Sequence, residues 1–343
     1  MFGGHRVSVV IPAYQAANTI GQVIRTLPGF VDLVVVVDDG STDGTAQISA
    51  SDGSSRVVCL RHHLNQGVGA AVVTGFRHAL SAGMDTIIKM DADGQMDPTL
   101  LPDLLNPIVE HGFDYAKGNR FYDLLHLRKM PLARRWGNVV LSFLTKAASG
   151  YWNVYDPQNG YTAIRADVLR KLDLDSLDPG YFFENSMLVQ LNIINARVAE
   201  VPMSAVYGGE PSSMSLWRVV FSFPRKLLCA GYRRLRLKYF GMDFSPVAIL
   251  IIIGGFLFVA GASYGAYKWI SHAIAGVPTP PGAVMLAALP VLLGAQLLLN
   301  ALLLDIAGTP PGLGVRRVAG FQATGEADLD GVYSDDQADD QPL

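Results

Sequence analysis

Two short acidic runs stand at the ends of apolar stretches. Asp38 and Asp39 follow Leu33 to Val37 and lead into Gly40-Ser41-Thr42-Asp43-Gly44-Thr45. Five apolar residues in a row read as a strand buried on both faces, so the acids after it emerge at the edge of a sheet, where Gly and Ser permit a tight turn. A turn alone accounts for one acid and the glycines, whereas two adjacent acids point to a ligand. The second run, Lys89-Met90-Asp91-Ala92-Asp93-Gly94-Gln95-Met96-Asp97-Pro98, follows the buried run Thr86 to Ile88. Alternate residues of an extended segment point the same way, so Asp91, Asp93 and Gln95 are expected to present oxygen atoms to one point. Hard oxygen ligands suit Mg²⁺ or Mn²⁺, and Mg²⁺ usually takes one or two carboxylates together with substrate phosphates. The bland alternative is an acidic turn without a ligand, which is enough to explain Asp97-Pro98.

Residues of this kind need a scaffold that delivers several strand ends to one edge. Val7 to Ile11 and Leu33 to Val37 read as buried strands, and Ile20, Val23, Ile24 and Leu27 between them have helical spacing, which makes a βαβ unit. Further strands are expected at Val57 to Leu60, Thr86 to Met90, Gly160 to Arg165 and Val198 to Val201. Helices are expected at Val68 to Leu80, Leu100 to Glu110, Arg134 to Ala148 and Phe183 to Ile194. This alternation implies an α/β fold, a mainly parallel sheet covered by helices, with ligands beyond the carboxyl ends of the strands. Ordinary dinucleotide-binding and P-loop enzymes are disfavoured. Gly67-Val68-Gly69 is followed by Val72 where the dinucleotide fingerprint needs Gly, and no G-x-x-x-x-G-K-[ST] occurs.

The composition, 50% hydrophobic and 17% charged over 343 residues, excludes a disordered or fibrous chain. The formal charge is -3, but residues 318–343 hold seven acids and no Lys or Arg, so the remainder is net basic. Cys59 and Cys229 are too far apart in the chain to indicate a disulfide framework or a Cys zinc site, and both read as buried small apolar residues. The apolar run Val7 to Ile11 is too short for a signal-peptide core, so the first half is expected to stay where it is made. Pro246 to Tyr267 and Ala283 to Leu304 have 22 residues each and no charge, and read as two transmembrane helices joined by the turn Gly276 to Gly282. A buried core hairpin is the rival reading. Before them, residues 211–242 carry seven Lys and Arg and no acid, interleaved with aromatics. That pattern suits helices at the headgroups of an anionic leaflet and, beside a membrane span, argues against nucleic acid. The loop between the helices has no Lys or Arg beyond Lys268, so the N-terminal domain and the tail are expected in the cytoplasm. The expected organisation is a catalytic domain at 1–210, a basic interface segment at 211–243, two membrane helices within 244–306, and an acidic, disordered and dispensable tail at 307–343.

Six segments carry a resemblance. They are Val9-Val10-Ile11-Pro12-Ala13-Tyr14, Val37-Asp38-Asp39-Gly40-Ser41-Thr42-Asp43, Asn65-Gln66-Gly67-Val68-Gly69-Ala70-Ala71, Asp91-Ala92-Asp93-Gly94-Gln95, Gly118-Asn119-Arg120 and Gln158-Asn159-Gly160-Tyr161. In this order the chain resembles GT-A fold family 2 glycosyltransferases, and most nearly the dolichyl or polyprenyl phosphate sugar synthases, a subset of which have two C-terminal membrane helices. The resemblance implies a nucleotide pocket at Pro12, Ala13, Tyr14 and Asp39. It implies Asp91 and Asp93 near the sugar and diphosphate, and Asp93 and Gln95 on a Mg²⁺ or Mn²⁺ ion. Arg120 and Arg134 match basic positions that hold the lipid phosphate, and Glu184 lies where the family often has an acid near the acceptor. Asp91, Asp93, Arg120 and Arg134 are thus the expected catalytic set. Two departures stand out: Gln15-Ala16-Ala17-Asn18 replaces an acid often found after the Tyr14 position, and Tyr207 to Ser215 is a variant of a Gly-Glu-Ser segment.

The implied reaction moves a hexose from GDP-mannose, UDP-glucose or UDP-N-acetylglucosamine to a polyprenyl phosphate at the cytoplasmic membrane face. A lipid monophosphate is already anionic, with a second pKa of about 6, so no general base is required and neither Asp156 nor Glu184 is given that role. Direct displacement inverts the anomeric carbon. A processive polysaccharide synthase shares the acidic motifs, but Leu132 stands where its Q-x-x-R-W needs Gln, and two helices make a poor channel. A catalytically silent membrane scaffold for envelope assembly is the reading from another class, and Asp91, Asp93 and Gln95 count against it. A homo-oligomer is left open.

Overall fold

The computed structural model describes residues 1–51, 53–120, 132–203, 216–241 and 245–312, and the side chains within them except at 132–140 and 216–222. Strands β1 (Val7–Ala13), β2 (Leu33–Asp38), β3 (Val57–Arg61), β4 (Thr86–Lys89), β5 (Tyr115–Asn119), β6 (Thr162–Arg165) and β7 (Val198–Pro202) form one sheet in the order β3-β2-β1-β4-β6-β5-β7. All neighbours run parallel except the two pairs made by β6. The valine runs explain why: every residue of β1 is buried, and a strand covered on both faces needs no polar alternation. Alternate residues enter two cores. Val9, Ile11, Val34 and Val36 pack with Ile24 and Leu104 on one face, while Val10, Val35 and Val37 pack with Val72, Phe76 and Leu188 on the other.

Helices α1 (Ile20–Thr26), α2 (Thr45–Ala50), α3 (Val68–Ser81), α4 (Leu101–Val109), α5 (Leu132–Ser149), α6 (Ala166–Leu169) and α7 (Phe183–Ile193) accompany the sheet. The expected α/β architecture is present, with α2 as an addition that its short, polar sequence did not announce. The register fixes what meets at the edge. Ala13 pairs with Asp38 and Val10 with Lys89, so the chain leaves β1, β2 and β4 on the same side. Because β6 is antiparallel to its neighbours, its first residue, Thr162, lies opposite both Lys89 and Lys117. The loop that feeds β6 therefore arrives at that same edge.

After the sheet come α8 (Leu216–Phe240), α9 (Pro246–Ala275) and α10 (Pro281–Ala307). The last two contain the expected spans and extend beyond them, to 30 and 27 residues, and an 18-residue stretch within each has mean hydropathy 2.3 and 2.1. Ser245 caps α9 by accepting from the Ala248 amide, Pro246 starts it, and Gly276 ends it in the left-handed region. Large apolar side chains such as Phe256, Val259, Leu292 and Leu293 face outward from the hairpin, as in lipid. Where the helices touch, a Cβ on Gly294 would lie 2.6 Å from the Gly254 carbonyl oxygen, so small residues set the approach.

The basic segment differs from expectation. It is one helix, and part of its charge faces protein: Lys226 pairs with Asp178 at 2.6 Å, Arg233 with Asp173 at 3.3 Å, and Arg234 is buried. Arg225, Leu228, Cys229, Tyr232 and Arg236 form the exposed face. Cys229 is thus exposed and Cys59 half-buried, since neither sits at a fully covered position. The tail from 313, the segment Tyr207 to Ser215 and the side chain of Arg134 lie outside the described residues.

Replacing Gly294 by Leu is expected to destabilise the protein by ~1–3 kcal/mol through overpacking of the hairpin. Thermal unfolding in detergent measures this, with Gly255→Leu as the control, because a Cβ at Gly255 meets nothing within 4 Å.

Candidate active site

The acids at the end of β2 are tied to the protein. Asp38 is buried, accepts from the Ser41 amide at 2.9 Å and lies 3.2 Å from the Arg61 Nε. Asp39, only 3% exposed, meets His62 Nδ1 at 2.7 Å and accepts from the amides of Gln66 at 2.9 Å and Gly67 at 2.8 Å. Asp39 therefore holds the Asn65-Gln66-Gly67 turn that starts α3. Gly67 has φ +100°, and a Cβ there would lie 2.4 Å from the Pro179 carbonyl, which explains the glycine. Pro12 and Ala13 are buried at the end of β1, and Tyr14 beyond them is 53% exposed. Gln15, the first residue of the segment that departs from the family pattern, donates from its amide to Ser41 Oγ and from Nε2 to Thr42 Oγ1, both at 3.0 Å, and so braces the same turn.

The second acidic run is not extended. The chain turns at Ala92 to Gly94, with Gly94 at φ +75°, so the alternation argument does not govern where Asp91, Asp93 and Gln95 point. Order comes instead from Lys89, which is 2% exposed at the end of β4. Its Nζ lies 2.8 Å from Asp91 Oδ1, 3.1 Å from Glu184 Oε1 and 3.3 Å from the Gly160 carbonyl oxygen. Burial opposes the charge of this ammonium, but Asp91 and Glu184 outweigh it and hold its pKa above the ordinary lysine range. A Cβ on Gly160 would lie 2.4 Å from Nζ and 3.0 Å from Asp91 Oδ2, so a larger residue in the 156–161 loop would push the buried ammonium from its place.

Asp93 lies exposed in the turn and accepts from the Gln95 amide at 3.0 Å. Partial desolvation by the protein around it, and after it the neighbouring Asp91 carboxylate, raise its pKa against the lowering effect of the Gln95 amide. No cluster of three His, Cys, Asp or Glu side chains suited to a metal occurs among the described residues. The donor set available is two carboxylates and one amide, which fits a hard cation that completes its shell with substrate phosphates.

At the end of β5 lies a buried polar group. Asp156 is fully buried and takes a two-pronged pair from Arg120, with Nε at 2.8 Å and Nη2 at 3.0 Å. Burial would raise the Asp156 pKa, but the Arg120 bonds and charge prevail and lower it. Glu200 accepts from the amides of Tyr155 at 2.8 Å and Asp156 at 2.9 Å and from Asn119 Nδ2 at 3.1 Å, while burial raises its pKa. Lys117 Nζ donates to the Asp156 carbonyl, and burial pulls its pKa down to about 8. Arg120, expected on a ligand phosphate, thus has its fork on Asp156 and keeps a side chain that is 38% exposed. Arg134 falls in the first turn of α5.

Glu184, Asp91 and Gly160 are brought together, whereas Asp39 and Arg120 serve first as braces. Sequence reasoning assigned no role to Lys89, Lys117 or Glu200. The first two carried a readable signal, a lysine inside a run that otherwise reads as a buried strand.

Residues 8–173 match glycosyl transferase family 2. The undecaprenyl-phosphate mannosyltransferase of Micrococcus luteus is 33% identical over 207 residues, covering 59% of this chain and 84% of that one. The polyprenol monophosphomannose synthase of Mycolicibacterium smegmatis is 32% identical over 210 residues, covering 58% and 77%. Among solved structures, mannosyl-3-phosphoglycerate synthase from Rubrobacter xylanophilus superposes with a TM-score of 0.52 at 22% identity, covering 70% of this chain and 77% of that one. At that identity the likeness establishes a shared GT-A-like fold.

Removing Lys89 leaves two carboxylates facing each other, and breaking a buried pair from one side costs about 3–5 kcal/mol. Lys89→Met is therefore expected to lower the melting temperature markedly, and adding Glu184→Gln to restore part of the loss. Losses that simply add in the double variant would show that the three groups do not act as one unit.

Proposed function

Since the chain belongs to glycosyl transferase family 2, we propose that it transfers a hexose from a nucleotide-diphosphate sugar to a polyprenyl phosphate at the cytoplasmic face of a membrane. GDP-mannose, UDP-glucose and UDP-N-acetylglucosamine are the candidate donors. The observation that carries the acceptor is the attachment of the Lys89-centred site to a membrane hairpin through α8, whose outer face mixes Arg225 and Arg236 with Leu228 and Tyr232. Two relatives whose names specify a polyprenyl acceptor support the same choice. The charge-poor loop after Lys268 and the basic helix before the hairpin support the cytoplasmic orientation.

In this reading Pro12, Ala13, Tyr14 and Asp39 border the nucleotide, and Tyr14 offers an exposed ring to the base. Asp93 and Gln95 would hold Mg²⁺ or Mn²⁺, with Asp91 turned to the sugar and diphosphate. Bound there, the ion supplies Lewis-acid neutralisation of the leaving diphosphate. Arg120 and Arg134 orient the acceptor phosphate by charge-assisted hydrogen bonds. That phosphate is already an anion and attacks without a general base, so Glu184 can remain paired with Lys89. Attack opposite the departing diphosphate inverts the anomeric carbon.

Asp93→Ala is expected to leave folding and membrane insertion intact, because an exposed acid in a turn has little packing to lose. It should lower transfer by ~10²-fold or more, the scale of losing one electrostatic contributor to a transition state. Transfer of labelled sugar to lipid phosphate in nanodiscs measures the effect, and full activity of this variant in excess chelator would remove the metal from the account.

A further inference from the structure

Arg234 is among the largest fully buried side chains of the described residues, and three other helices meet on it. It belongs to α8, and its guanidinium forks onto Asp305 of α10, with Nη1 to Oδ1 at 2.7 Å and Nη2 to Oδ2 at 2.9 Å. Nε donates to the Ala148 carbonyl at 3.0 Å and Nη2 to that of Ala147 at 3.3 Å, both in the last turn of α5. Nη1 also donates to Asn192 Oδ1 of α7 at 3.3 Å, and the Tyr239 hydroxyl donates to the same Asp305 carboxylate. A Cβ on Gly150 would lie 2.3 Å from Nη1, so the chain after α5 is shaped around this group. Asp305 is the only acid between residues 244 and 312. An acid at the end of an apolar helix is costly unless paired and tends to have a specific task.

Beyond α10 the chain returns to the same place. Thr309 Oγ1 donates to the Gly150 carbonyl, and Asn153 Nδ2 donates to the Pro310 carbonyl, both at 3.3 Å. The segment so clasped, 150–153, runs directly into Tyr155 and Asp156, which Glu200 and Arg120 grip. The helix clasped at its other end, α5, begins with the turn that carries Arg134. Both arginines assigned to the acceptor phosphate thus hang from elements that Arg234 and Asp305 fasten to the membrane hairpin.

We propose that Arg234 and Asp305 are positioning residues for transfer: the hairpin sets the place of α5 and of the 150–156 segment, and is a working part of the acceptor site as well as an anchor. This rests on the polyprenyl-phosphate reading above. The lock acts through the protein, so it matters for any acceptor phosphate, including one without a long tail.

The test compares wild type, Asp305→Asn and Asp305→Glu in nanodiscs, with a long polyprenyl phosphate and with a short, water-soluble prenyl phosphate as acceptors. Asp305→Asn should raise KM for both acceptors by about tenfold or more while KM for the nucleotide sugar changes little, and Asp305→Glu should recover much of the loss, as expected when contacts to one substrate are misplaced. Unchanged kinetics with the short acceptor would reduce the hairpin to an anchor and overturn the proposal. If Asp305→Asn does not fold, Tyr239→Phe, which removes one bond to the same carboxylate, must show a smaller acceptor-selective rise in KM, and its absence overturns the proposal equally. Transfer by wild type to neither acceptor would instead sink the functional reading on which the proposal rests.

Discussion

One buried ammonium constrains the whole reaction edge. A lysine inside a sheet is tolerated only if opposite charges meet it there, and Lys89 meets Asp91 from its own strand end and Glu184 from the start of α7. The remaining approach is filled by the Gly160 carbonyl, which the antiparallel strand β6 delivers by beginning opposite Lys89. Sheet order, strand direction and the glycine at 160 are therefore parts of one requirement. With Lys89 satisfied, Asp91 is held beside the turn that carries Asp93, and the loop that holds Asp156 lies next to it.

Much of this was legible in the sequence because it depends on local pattern. Valine runs gave the strands, helical spacing gave the helices that cover them, and two charge-free stretches gave the hairpin. The glycine-rich segments marked real points of close approach, as at Gly67 against Pro179. Long-range pairing was not legible. Glu184 and Lys89 are almost a hundred residues apart, and Arg120 meets Asp156 only because β5 and β6 are neighbours. The expectation that Asp91, Asp93 and Gln95 align along an extended segment failed at Gly94, whose positive φ bends the chain. In α8 the basic residues read alike, yet one side of the helix faces acids of the protein and the other faces outward, a distinction that only packing makes.

In the proposed reaction the same packing lets a water-soluble donor and a lipid acceptor share a site. Drawing a prenyl chain into water costs ~0.8 kcal/mol per CH₂, so the phosphate must be met at the headgroups. The helix between domain and hairpin is fixed on both sides, to Asp173 and Asp178 of the domain and to Asp305 of the hairpin. In the proposed reading, a site attached in this way is held at a defined height and orientation relative to the bilayer, which a flexible tether would not give.

In the proposed reaction the sugar ends on the phosphate of a polyprenyl lipid. The most direct measurement is to incubate the purified protein in nanodiscs with polyprenyl phosphate, Mn²⁺ and each labelled donor, then to determine the mass and anomeric configuration of the lipid-extracted product. The expected product carries one hexose per lipid, joined through a phosphodiester and β-linked when the donor is α-linked. A sugar polymer, or a product formed equally without the lipid phosphate, would contradict it.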